Sequence, residues 1–112
     1  MRSPAYELLR QAIVRRQQVL ATYKGLPRSF CPHAIGLKQG VPHCLVYQFA
    51  GRSRSRVITP GSPDNWRCMI VDELHDVRVR EGAWYTAWNF LEPSSCIDEI
   101  DLSLTAPRKH PS

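Results

Sequence analysis

Between Pro32 and Leu74 the chain offers only short apolar runs, each closed by turn-forming residues. Pro32-His33-Ala34-Ile35-Gly36-Leu37 leads through Lys38-Gln39-Gly40 into Cys44-Leu45-Val46-Tyr47-Gln48-Phe49. Gly40 supplies the positive φ that a tight hairpin needs. Runs this short between turn signals predict strands of a small sheet or barrel, and leave no room for a helical core. A basic, serine-rich loop follows, Arg52-Ser53-Arg54-Ser55-Arg56. The stretch then closes with the strand-like Trp66-Arg67-Cys68-Met69-Ile70-Val71 and Asp72-Glu73-Leu74.

The flanking segments fit around this centre. Ser3-Pro4 reads as an N-cap followed by proline at the first helical position. Ala5, Leu8, Leu9, Ala12 and Ile13 share one face at helical spacing, so the sequence predicts a helix over 4–17. Its apolar stripe needs cover, from the barrel mouth or from a second subunit. Strands are expected over 19–23, 28–37, 44–49, 67–71 and 77–80, with 44–49, the most apolar, at the centre. Proline at position 32 has no N–H for a ladder, so its strand should be bulged or at an edge there. Gly82 to Phe90 carries Trp84, Tyr85, Trp88 and Phe90, a density of aromatics typical of core or interface. A last short strand is expected among Ile97, Ile100, Leu102 and Leu104, and residues 105–112 form a polar tail expected to be disordered. The fold expected is therefore mainly β with an N-terminal helix: one domain over 1–104, a small β-barrel of about five strands.

Length and charge bound the function. One domain of 112 residues can close one modest core. No apolar run approaches the ~20 residues of a membrane span. Glu7, Arg10 and Arg15 interrupt anything resembling a signal-peptide core. These features place the chain in the cytoplasm, where its four cysteines are expected to be reduced and mostly small buried residues. The formal charge of +5 permits a polyanionic partner.

Several residues are candidates for chemistry. Arg52, Arg54 and Arg56, alternating with Ser53 and Ser55, could hold phosphates through charge-assisted hydrogen bonds, or be a solvated loop. Arg28, Arg78 and Arg80 could extend that patch, with Trp66 or Tyr47 for base stacking, although Trp66 also suits a plain core position. Arg67 needs an anion or a carboxylate such as Asp72 to satisfy its donors. His33 suits a hydrogen-bonding role in a pocket or a satisfied half-buried site. A metal site from Cys31, His33, His43 and Cys44 is not expected, because the hairpin register separates His33 from His43. Neither a catalytic pairing nor a glycine-rich phosphate loop is evident, so the sequence predicts no enzyme and no cofactor.

The order of these segments resembles the WYL domain family. The resemblance rests on Pro32 to Leu37, Gly40 to Tyr47 and Arg67 to Leu74, and covers about Gln11 to Arg80. The name-giving Trp-Tyr-Leu falls on Pro42-His43-Cys44, and two family arginines are Ile70 and Glu73 here, so the implied basic pocket has two fewer charges. The resemblance implies an Sm-like or SH3-like barrel that senses a nucleic acid or nucleotide, as an isolated regulatory domain in transcription or phage defence. The ligand site it suggests comprises Arg67, His33, Tyr47, Trp66 and the loop residues Arg52, Ser53, Arg54 and Arg56. A second reading is a protein-interaction or dimerisation module, working as a homodimer or docked on an effector through the helix stripe and the Trp84–Phe90 aromatics.

Overall fold

The computed structural model describes residues 3–52, 58–59, 61–87 and 95–104. The elements are helix α1 (Pro4–Arg15), then strands β1 (Gln18–Tyr23), β2 (Leu26–Lys38), β3 (Val41–Gly51) and β4 (Trp66–Ile70). A 3-10 turn (Val71–Glu73), β5 (Leu74–Arg80) and β6 (Glu99–Ser103) complete them.

α1 begins as its sequence dictates. The Ser3 side chain accepts the Tyr6 N–H at 3.2 Å, and Pro4 occupies the first turn, where its missing N–H costs nothing. The helix ends two residues before the expected Gln17, because Arg16 turns left-handed at φ 56°. The Gln17 N–H then returns to the Ala12 carbonyl at 2.9 Å, which aims the chain into β1.

All pairings are antiparallel, in the order β4-β3-β2-β1-β5, with β6 paired to β2. Two hairpins set the register. Lys24-Gly25 and Gln39-Gly40 each place two consecutive residues at positive φ, the two-residue turn whose twist matches that of the strands. The expected central strand, β3, is interior, but the middle position belongs to β2. This 13-residue strand pairs with β1 along its first half and with β6 along its second, on the same edge. Pro32 behaves as expected: the β2–β3 register shifts between Pro32 and Ala34, leaving His33 as the extra residue of a bulge.

The expected barrel of about five strands is instead an open sheet of six. β4 and β5 are joined by the 3-10 turn but do not pair with each other. Where a closing partner would stand, the Tyr23 hydroxyl accepts the Ile70 N–H at 3.0 Å.

Each face of the sheet is covered. On one, Tyr6, Leu9, Ala12 and Ile13 of α1 pack over Val19, Ala21, Phe30, Ile35, Cys44, Val46 and Met69. Leu9, Ala12 and Ile13 of the apolar stripe are thus covered within the chain, while Leu8 stays exposed. On the other face residues 81–87 form a strap. It leaves β5 and crosses β1, where Gln18 Nε2 donates to the Ala83 carbonyl at 2.6 Å. It continues over β2, where the Tyr85 N–H donates to Cys31 Sγ at 3.3 Å, and stacks Tyr85 on Phe49 of β3 at 4.5 Å. Gly82 is required there, since a Cβ would meet the Gln18 side chain at 2.8 Å.

The expectation of four reduced cysteines is corrected. Cys68 of β4 and Cys96, just before β6, form a disulfide with Cα atoms 5.6 Å apart. Their 28-residue separation in sequence carries no hint of this pairing, which follows from the chain returning to β2 after the strap. Cys31 and Cys44 are free and buried, as expected of small apolar residues. Among the described residues no helix is long and apolar enough to cross a membrane.

Candidate functional site

The bulge at His33 builds the most polar point on the strap side of the sheet. His33 is 2 % exposed. Its Nδ1 lies 2.8 Å from the Cys31 carbonyl, which can only accept, so Nδ1 carries the proton. Nε2 is left to accept from the Thr86 hydroxyl at 2.9 Å. Trp66 meets the imidazole edge-on at 4.7 Å and Trp84 lies 4.9 Å away on the strap. Burial pushes the imidazole pKa down to about 4, against the hydrogen bond to Cys31, with the Arg16 charge lowering it further. His33 is therefore a neutral, doubly hydrogen-bonded histidine at neutral pH.

Tyr47 and Trp66 join it, with ring centroids 5.1 Å apart. The Tyr47 hydroxyl donates to the Ser62 carbonyl at 2.7 Å, and burial raises its pKa. Three of the residues singled out in the sequence, His33, Tyr47 and Trp66, thus come together. They form a packed aromatic group beneath the strap in which Tyr47 is fully buried.

Arg67 does not join them. Successive strand side chains point to opposite faces. Trp66 pairs across from Tyr47 on the strap side, while Arg67 pairs across from Val46 on the helix side. Its Nη1 donates to the Asp64 and Trp66 carbonyls at 2.8 and 2.9 Å, which fastens the start of β4. Arg28 is likewise structural. It is buried, donates to Gln48 Oε1 and the Tyr23 carbonyl, and lies 5.4 Å over the Tyr23 ring. Arg52 is exposed at the end of β3, its N–H bonded to the Pro27 carbonyl at 2.8 Å. Ser53, Arg54 and Arg56 lie outside the described residues, as do Trp88, Phe90 and the tail 105–112.

The exposed cations gather elsewhere. Arg78 and Arg80 project from one face of β5, opposite Leu20 and Gln18. Arg80 is held there by two donations to Gln18 Oε1, at 2.9 and 2.7 Å. Arg15 and Arg16 are exposed at the nearby C-terminal end of α1.

The thiols are not poised for nucleophilic work. Burial pushes Cys31 up to about 11 and raises Cys44 further. The His33 nitrogens address the Cys31 carbonyl and Thr86, not a sulfur. Among the described residues no group of three or more His, Cys, Asp or Glu side chains could hold a metal. His43, once weighed as a ligand, bonds the Val41 carbonyl.

Two glutamines that the sequence reading passed over organise this region. Gln18 ties Arg80 to the strap. Gln48, fully buried, donates to the Ala50 and Arg52 carbonyls and so fixes the exit of β3. A glutamine inside an apolar strand was the available signal.

A groove of about 800 Å³ opens between the N-terminus of α1, the β2–β3 hairpin and β6. Tyr6, Leu37, Pro42, Asp72, Glu99 and Ile100 are among its lining residues. In comparisons with known proteins, no family model matches the chain, and no curated protein or solved structure matches it either.

Proposed function

We propose that this chain is a non-catalytic regulatory binding domain of WYL-like type whose ligand is a nucleic acid or nucleotide. An N-terminal helix followed by strands in the order β5-β1-β2-β3-β4, with a 3-10 turn joining the two outer strands, supports an Sm-like or SH3-like rolled sheet left open. The resemblance implies a closed barrel of that type for an accessory or sensor in transcription or phage defence.

The observation that carries the ligand class is the set of four exposed arginines, Arg15, Arg16, Arg78 and Arg80, at one end of the sheet. Guanidinium groups on a rigid strand are pre-ordered donors for phosphate oxygens. His33 holds the strap through Thr86 and Tyr47 holds the Ser62 carbonyl, and Trp66 is the member of the aromatic group with partial exposure for stacking. Arg52 adds an exposed guanidinium at the far end of β3.

Fluorescence anisotropy of a labelled single-stranded oligonucleotide tests this. Binding should weaken steeply between about 50 and 200 mM salt, and Arg78→Ala with Arg80→Ala should lower the salt slope by roughly two phosphate contacts. Equal affinity for the double variant and the parent would overturn the assignment.

A further inference from the structure

Among the described residues β4, β5 and β6 each pair on one side only, and the charges of β5 and β6 are opposite. Among the described residues β5 pairs only with β1, and β6 only with β2. Each therefore presents a row of unpaired peptide groups, which is a template for another strand. β5 reads Val77-Arg78-Val79-Arg80, with both arginines exposed. β6 borders the groove, and Glu99, Ile100 and Asp101 are among its lining residues.

The groove is acidic on a basic chain. Among the described residues no Lys or Arg lines it. Asp101 is engaged internally, accepting from the Tyr6 hydroxyl at 2.8 Å and Arg10 Nε at 3.1 Å. Asp72 and Glu99 are exposed and have no hydrogen bond or ion pair of their side chains among the described residues. Ile100 is 51 % exposed beside them, and Leu37 and Pro42 form an apolar wall. Such walls cover the methylene stems of arginine while the heads reach carboxylates.

We infer that the groove and the β6 edge receive the β5 edge of a second copy of this chain, with Arg78 and Arg80 reaching Glu99 and Asp72. Opposite charges placed across paired strands favour this combination, while β6 against β6 or β5 against β5 sets like charges together. The contact is head-to-tail, since the two patches differ, so each copy keeps one free donor edge and one free acceptor edge. The inference does not rest on the nucleic-acid reading. Assembly is measured without oligonucleotide; if both hold, an oligonucleotide and the second copy compete for Arg78 and Arg80.

Complementation decides it. One variant carries Arg78→Gln and Arg80→Gln; the other carries Asp72→Asn and Glu99→Gln. All four positions are exposed, and far-UV circular dichroism verifies folding of each. Light scattering should show the parent gaining mass with concentration and losing it with salt. Each variant alone should be monomeric. Their equimolar mixture should give a dimer and nothing larger, because only one intact donor edge and one intact acceptor edge remain. A parent that stays monomeric into the millimolar range, a variant that still assembles alone, or a mixture that stays monomeric would each overturn the inference.

Discussion

Lowering the pH should loosen the strap through a single imidazole. His33 is neutral in the folded chain, with a pKa near 4, but recovers its ordinary value of 6.5 when unfolded. Below 6.5 the unfolded chain takes up a proton that the native chain refuses, so stability is fully present above 6.5 and falls with pH until about 4, where the native form also protonates. The gap between 6.5 and 4 corresponds to roughly 3 kcal/mol in all, most of it lost by pH 4.5. That is a large part of the ~5–15 kcal/mol by which domains of this size are stable. Among the described residues the groups around the ring include the Cys31 carbonyl, the Thr86 hydroxyl, the two tryptophans and the more distant Arg16 charge, and both ring nitrogens are engaged by neutral partners. Urea unfolding followed by tryptophan fluorescence at pH 7.5, 5.5 and 4.5 should be compared between the parent and His33→Asn, which keeps a donor near the Cys31 carbonyl and cannot titrate. Carboxylates contribute equally to both, so the parent should lose about 2 kcal/mol more than the variant across this range. Parallel pH profiles, or an NMR titration of His33 centred near 6.5, would refute the buried-neutral account.

Two further outcomes follow from the packing. Reduction of Cys68–Cys96, or Cys68→Ala with Cys96→Ala, should cost roughly 3–4 kcal/mol by the chain-entropy argument for a loop of 28 residues, read from urea midpoints with and without reductant; identical midpoints would mean the bridge does not form. Gly36→Ala should detach β6, because its Cβ would stand 2.1 Å from the Glu99 carbonyl oxygen; amide exchange should accelerate at residues 99–103 while α1 keeps its protection, and unchanged exchange at β6 would contradict the close approach.

What the sequence made legible was local. Ser3-Pro4 announced the start of α1, Gln39-Gly40 the hairpin, and Pro32 the bulge, because each acts through its own backbone dihedrals or missing donor. The candidate site was legible only in part. His33, Tyr47 and Trp66 do converge, yet Arg67 stands on the other face, and strand alternation alone separates neighbours such as Trp66 and Arg67. The barrel was overextended for a different reason. Whether two outer strands meet depends on the turn between them and on Tyr23, 47 residues earlier than Ile70, and neither is a local property. The strap and its disulfide were hidden for the same cause: no periodicity marks residues 81–87, whose path is set by contacts with Gln18, Cys31, His33 and Phe49 from three strands.

The outer side of β4 is tied at both ends and anchored at its middle by a side chain. The Ile70 N–H is taken by Tyr23, the Trp66 carbonyl by the Arg67 guanidinium, and Cys68 between them is bridged to Cys96. A growing amyloid stack needs several successive peptide groups free along one rim. The apolar run Met69-Ile70-Val71 leads from β4 into the 3-10 turn, and these three ties hinder such a stack there, one of them removable by a reducing environment.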